Sequence, residues 1–181
     1  SALVSLSGLP PRESVLASPV AQHLAFRAPG GTDYPRVLMG LVAHARQTLL
    51  DAGHHSRLVK AFEGGGKKGK RPPADPALES LTLALEGKMP VVIEADTRDQ
   101  IDRALDFAAE FGLKPILFGG RDAWKSIDRL KRDKVPVILR LDFSDPRSPM
   151  VQAQEKGVPA RVKADREKKR GQEVACAALL H

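Results

Sequence analysis

Two carboxylates, Glu94 and Asp96, close the apolar run "MPVVIEA" and its following aspartate. At i,i+2 they can leave the same side of an extended segment. Such a pair can bind a hard cation or divide acid and base work. A blander role is equally concrete: Asp96 ends the strand and Glu94 pairs with a nearby Arg or Lys. Gly119-Gly120-Arg121 closes the next apolar run, where a tight turn can bring backbone N–H groups against an anion or substrate. It is neither a GxGxxG nor a Walker loop. Arg140 and Asp142 close a third run and read first as an ion pair.

These groups gain meaning from the elements that must hold them. Residues 88–141 alternate short β-branched runs ("VVIEA", "KPILFG", "VPVILRLDF") with amphipathic stretches. In "TRDQIDRALDFAAEFG", Ile101, Ala104, Leu105, Ala108 and Phe111 form one helical stripe. Thr97 and Gln100 have capping-box spacing, and Gly112 offers a left-handed stop. "RDAWKSIDRLKRD" predicts a second helix with Ala123, Ile127 and Leu130 on one side. The order β-α-β-α-β is that of a parallel sheet with right-handed crossovers. In such folds ligands gather at the carboxyl ends of strands, which selects the residues named above. Periodicity alone leaves a doubly wound sheet and part of a barrel both open.

The flanks are less regular. Residues 1–36 predict short strands broken by prolines, with Val20–Phe26 the best candidate. Residues 36–60 predict a helix interrupted at Gly53, and 63–73 ("EGGGKKGKRPP") a flexible basic loop. Asp75–Glu86 predicts a helix, 144–162 a long loop, and "KADREKKRGQEVACAALLH" a final helix.

Composition narrows the function classes. The 181 residues carry 29 Lys+Arg against 22 Asp+Glu, a net charge of +7. That excess favours weak attraction to polyanions, but the cationic runs "KKGKR" and "KKR" lack interleaved aromatics and read as solvated surface, so a nucleic-acid partner is not expected. The lone Cys176 excludes an internal disulfide and reads as a buried, inert thiol. The histidines form no HxH or HExxH pattern. No apolar run reaches the length of a membrane span, so no membrane partner is expected; the compartment is left open, with a soluble, cytoplasmic setting as the first reading.

Gly87–Leu139 resembles the later barrel strands of amidohydrolases related to imidazolonepropionase. "G-K-x-P-V" enters a strand, "A-D" closes it, "A-x-x-F-A-x-E-F-G-L-K" makes the helix, and "G-G-x-x-A-W-K" follows the next strand. "REKKRGQEVACAALLH" resembles the helix before another strand, and residues 1–86 are more loosely compatible.

The resemblance implies an α/β fold, a partial TIM (β/α)8 barrel, as one domain over 1–181. A closed barrel takes roughly 250 residues, so an incomplete segment with self-associating sheet edges is expected. The resemblance further implies metal-dependent hydrolysis of a C–N bond, amide or cyclic amide, in the parent protein. It implies one or two divalent metals, usually zinc, and a small-molecule substrate. The family's HxH is absent here. Of its two mid-barrel histidines, the first falls on Glu94 and the second within "LFGG", near Gly119. Glu94 is thus the expected metal contact, and Gly119, Gly120 and Arg121 border the expected substrate. Glycine brings no donor, so this chain is expected to be incomplete or degenerate as an enzyme and to hold no zinc by itself. A non-catalytic structural or interaction module derived from the barrel, and a small α/β anion-binding domain, are the competing readings.

Overall fold

The computed structural model describes residues 1–8, 10–27, 34–66, 69–140, 148, 151–152, 155 and 157–180. In chain order the elements are β1 (Leu3–Val4), α1 (Pro11–Ser14), β2 (Val15–Ala17), β3 (Gln22–Ala25), α2 (Leu38–Gly64), α3 (Pro76–Leu85) and β4 (Val91–Ala95). There follow α4 (Arg98–Glu110), β5 (Pro115–Gly119), a 3₁₀ turn (Ala123–Ser126), α5 (Ile127–Arg132), β6 (Val137–Leu139) and α6 (Ala160–Leu180). β1 and β2 form an antiparallel pair, and the four-stranded sheet has the order β3-β4-β5-β6. The chain divides into two compact units, residues 1–94 with 104–116, and residues 95–103 with 117–181.

In the first unit β3 runs parallel to β4, Gln22 opposite Val91 and Ala25 opposite Glu94. Val91, Val92 and Ile93 are all buried, as a strand covered on both faces requires. Successive side chains point to opposite faces, so three consecutive buried residues need cover on each. Phe107 packs edge-on against Phe26, with centroids 5.3 Å apart, and tilted against Phe111 at 5.1 Å. The stop after α4 is the one expected: Gly112 takes φ +61 and Leu113 N–H donates to the Ala108 carbonyl.

α2 departs from the expected break at Gly53: it runs unbroken from Leu38 to Gly64. A mid-helix glycine costs only about 1 kcal/mol, and burial of Leu49, Ala52 and His55 on its flanks offsets that. The helix also takes in Glu63 and Gly64 from the stretch expected as loop. α3 starts as expected. Asp75 caps it by accepting from the N–H groups of Ala77 and Leu78 at 3.0 and 3.1 Å. Glu86, just beyond α3, accepts from Lys60 at 2.5 Å and Lys88 at 2.7 Å. The hydrogen bond from Lys60, then that from Lys88, hold its carboxyl down to about 2.

In the second unit β5 and β6 run parallel, with Leu117 opposite Val137 and Gly119 opposite Leu139. The helix expected over 121–133 is split. Ser126, at φ −116 and ψ 22, leaves helical geometry between the 3₁₀ turn and α5. Ala123 and Leu130 are still buried, so the expected apolar side survives the change of helix type. α6 begins at Ala160, ahead of the expected start, and passes through Gly171. Cys176, 2% exposed, is its buried residue and donates weakly to the Gly120 carbonyl at 3.5 Å. Among the described residues, no helix is long and apolar enough to cross a membrane.

Candidate functional site

The chain passes from the first unit to the second between Glu94 and Ala95, so the two carboxylates of β4 are described with their own partners. In the first unit Glu94 accepts from Arg27 Nη2 at 3.1 Å. Arg27 stands two residues past the end of β3, and the parallel register that puts Ala25 opposite Glu94 delivers the guanidinium there. Its side chain is 74% exposed against 23% for Glu94. Water screens such a pair strongly, but the pairing gives the Glu94 carboxylate a cationic partner.

The second unit holds the Asp96 end of the strand together with Gly119, Gly120 and Arg140. Asp96 Oδ2 lies 3.4 Å from Arg140 Nη1. The Arg140 guanidinium also lies over the Phe118 ring, 5.0 Å from its centroid. Asp142, expected as the partner of Arg140, lies outside the described residues. Asp96 Oδ1 is buried and has no hydrogen-bond partner among the described residues. It borders the space that a side chain at Gly119 would fill. A Cβ placed there would come within 2.6 Å of Asp96 Oδ1 and 3.1 Å of the Ala95 carbonyl oxygen. Gly119 also takes φ +107, a conformation that L side chains rarely adopt.

The turn after β5 is tied to the Ala95-Asp96 backbone. Gly120 N–H donates to the Ala95 carbonyl at 2.8 Å, and Asp122 N–H to the Asp96 carbonyl at 2.8 Å. These bonds consume the Gly120 N–H that an anion at Gly119-Gly120-Arg121 would need. Gln100 secures the other side, its Oε1 accepting from the N–H groups of Asp96 at 2.9 Å and Thr97 at 3.2 Å. That is the return half of the expected capping box.

The tertiary structure thus brings Asp96, Gly119, Gly120 and Arg140 together in one unit and gives Glu94 to Arg27 in the other. An Arg or Lys partner for Glu94 was expected and Arg27 is that partner; which cation it would be, and the Asp96–Arg140 pair, were not. No local signal marks them, because their partners lie 67 and 44 residues away in sequence.

The resemblance to imidazolonepropionase-related enzymes would put a divalent metal at these strand ends. A catalytic zinc takes three protein ligands and leaves a position open for water. Gly119 supplies no donor, and a histidine in its place would meet Asp96 and the Ala95 carbonyl from its first side-chain carbon. Glu94 and Asp96 each face a guanidinium. Among the described residues, no three His, Cys, Asp or Glu side chains gather as metal ligands. The donor set at the described strand ends does not fit the metal.

No family model matches the sequence. No curated protein matches it either. Among solved structures, an amidohydrolase from Thermotoga maritima MSB8 is similar, with a TM-score of 0.71 and 19% sequence identity. The match covers 83% of this chain and 40% of that one. This chain therefore spans well under half the length of the protein it resembles. The similarity establishes the fold: α/β, with the parallel β-α-β-α-β arrangement of part of a (β/α)8 barrel.

Proposed function

We propose that this chain derives from an imidazolonepropionase-related amidohydrolase and that its β4–β6 strand ends now serve as a structural or interaction module, without a catalytic metal. The observation that carries this reading is Gly119. It stands where the resemblance places a metal-binding histidine, and Asp96 and the Ala95 carbonyl occupy the space its side chain would need. The pairing of Asp96 with Arg140 supports the same reading, since a guanidinium holds the place that a cation would take beside the carboxylate.

The hydrolase reading assigns metal-dependent cleavage of an amide or cyclic-amide bond to the parent protein. In it Glu94 contacts the metal, and Gly119, Gly120 and Arg121 border the substrate. The two readings differ in metal content. The chain is purified in the presence of zinc and assayed by elemental analysis beside Glu94→Ala. The module reading expects zinc well below one equivalent and unchanged by the substitution. One zinc per chain that Glu94→Ala removes would overturn it and restore the hydrolase.

A further inference from the structure

The second unit carries an open cavity of about 560 Å³ that shares only Arg121 with the hydrolase reading. This volume is in the range of small-ligand sites, roughly 300–1,000 Å³. Its walls are cationic. α6 contributes Arg166, Lys169, Arg170 and Glu173, at i, i+3, i+4 and i+7, so one helical stripe faces the cavity. Arg121, from the turn after β5, and Glu155 are the other charged residues among the described lining. Among the described residues, four cations against two carboxylates give the lining +2.

The charges have different tasks. Arg170 and Glu155 are ion-paired and half-buried, so Arg170 is held in one place rather than sweeping through solvent. Arg166 and Lys169 are solvent-exposed at the rim. A guanidinium offers a planar fork that matches phosphate oxygens, and an ammonium adds a point charge. A phosphate ester carries about −1.5 to −2 at pH 7, which complements the +2 of the described lining residues.

We propose that this cavity binds the phosphate group of a small phosphorylated molecule, through Arg166, Lys169 and Arg170. The cavity is a concave, charge-matched site and not an even cationic face. The Lys163 and Lys168 cations of the same helix do not line it, and that contrast is what the test exploits. The inference is independent of the metal question, and its failure leaves that question where it stands.

Inorganic phosphate serves as the probe, titrated by calorimetry at low ionic strength, with helical content checked by circular dichroism. The expected result is saturable binding of one phosphate per chain. Arg166→Gln and Lys169→Gln should each weaken it roughly fivefold, as loss of one near-surface charge contact implies. Lys163→Gln with Lys168→Gln should leave it unchanged. Glu173→Gln should tighten binding, because it removes a like charge from the lining while leaving every proposed ligand in place. This gain cannot arise from misfolding. Absence of saturable binding overturns the proposal. So does equal weakening by the Lys163/Lys168 variant, which would mark a diffuse polyanion surface. A third arm uses a single-stranded oligonucleotide. Tighter binding of it than of phosphate, dependent on both faces of α6, would assign the helix to nucleic acid and overturn the small-ligand site.

Discussion

Replacing Gly119 by alanine tests the contact on which the proposed function rests. Two costs arise at this position. The first is conformational: a non-glycine residue held in a sparsely populated region of φ,ψ costs about 1–3 kcal/mol, and Gly119 sits at φ +107. The second is steric. The new methyl would lie 2.6 Å from Asp96 Oδ1 and 3.1 Å from the Ala95 carbonyl. Asp96 can swing only by leaving Arg140, and the Ala95 carbonyl can shift only by weakening its bond to Gly120 N–H. Overpacking of this kind costs about 1–3 kcal/mol more, so a total of about 4 kcal/mol is expected. Gly112→Ala is the matched control. Gly112 also has positive φ, +61, but a Cβ there meets nothing within 4 Å, which leaves a conformational cost of about 1–2 kcal/mol. Urea unfolding followed by far-ultraviolet circular dichroism and by the single tryptophan, Trp124, gives both values. A Gly119→Ala,Asp96→Ala double variant should recover part of the loss, as coupled neighbours do. Equal destabilisation by Gly119→Ala and Gly112→Ala would refute the steric argument and reopen position 119 to a larger side chain.

Two further outcomes follow from the first unit. Asp75→Ala removes the acceptor for the Ala77 and Leu78 N–H groups and should cost about 1 kcal/mol in urea unfolding, while Asp75→Asn retains most of the cap. Glu86 has its carboxyl lowered from 4.5 to about 2 by Lys60 and Lys88. A carboxylate lowered on folding contributes stability that is complete above its unfolded value and is lost as pH falls through the folded one. Acid titration of thermal stability should therefore show a loss between about pH 4.5 and 2 that Glu86→Gln reduces. An identical acid limb in the variant would show that these ion pairs add nothing.

Much of the scaffold was legible because it depends on neighbours in sequence. The stripe from Ile101 to Phe111 set α4, Gly112 ended it, and Asp75 with Pro76 started α3. The β-branched run at 91–95 announced a strand covered on both faces. These are effects of one or two turns of chain, and the pattern carries them. The split at Ser126 and the unbroken passage of α2 through Gly53 were not legible. In each case the preference of a single residue is worth about 1 kcal/mol or less, and packing decides.

The sequence alone determined that Glu94, Asp96 and Gly119-Gly120-Arg121 stand at strand ends of a parallel α/β fold, where ligands gather. It also determined that Gly119 brings no metal donor. Only the tertiary structure decided what those residues face. Parallel pairing of β3 with β4 delivers Arg27 to Glu94, pairing of β5 with β6 delivers Arg140 to Asp96, and the Gly120 N–H is spent on the Ala95 carbonyl. Each partner comes from a distant stretch of chain. Its arrival depends on strand order and register, quantities set by the packing of the whole element and written in no local run of residues.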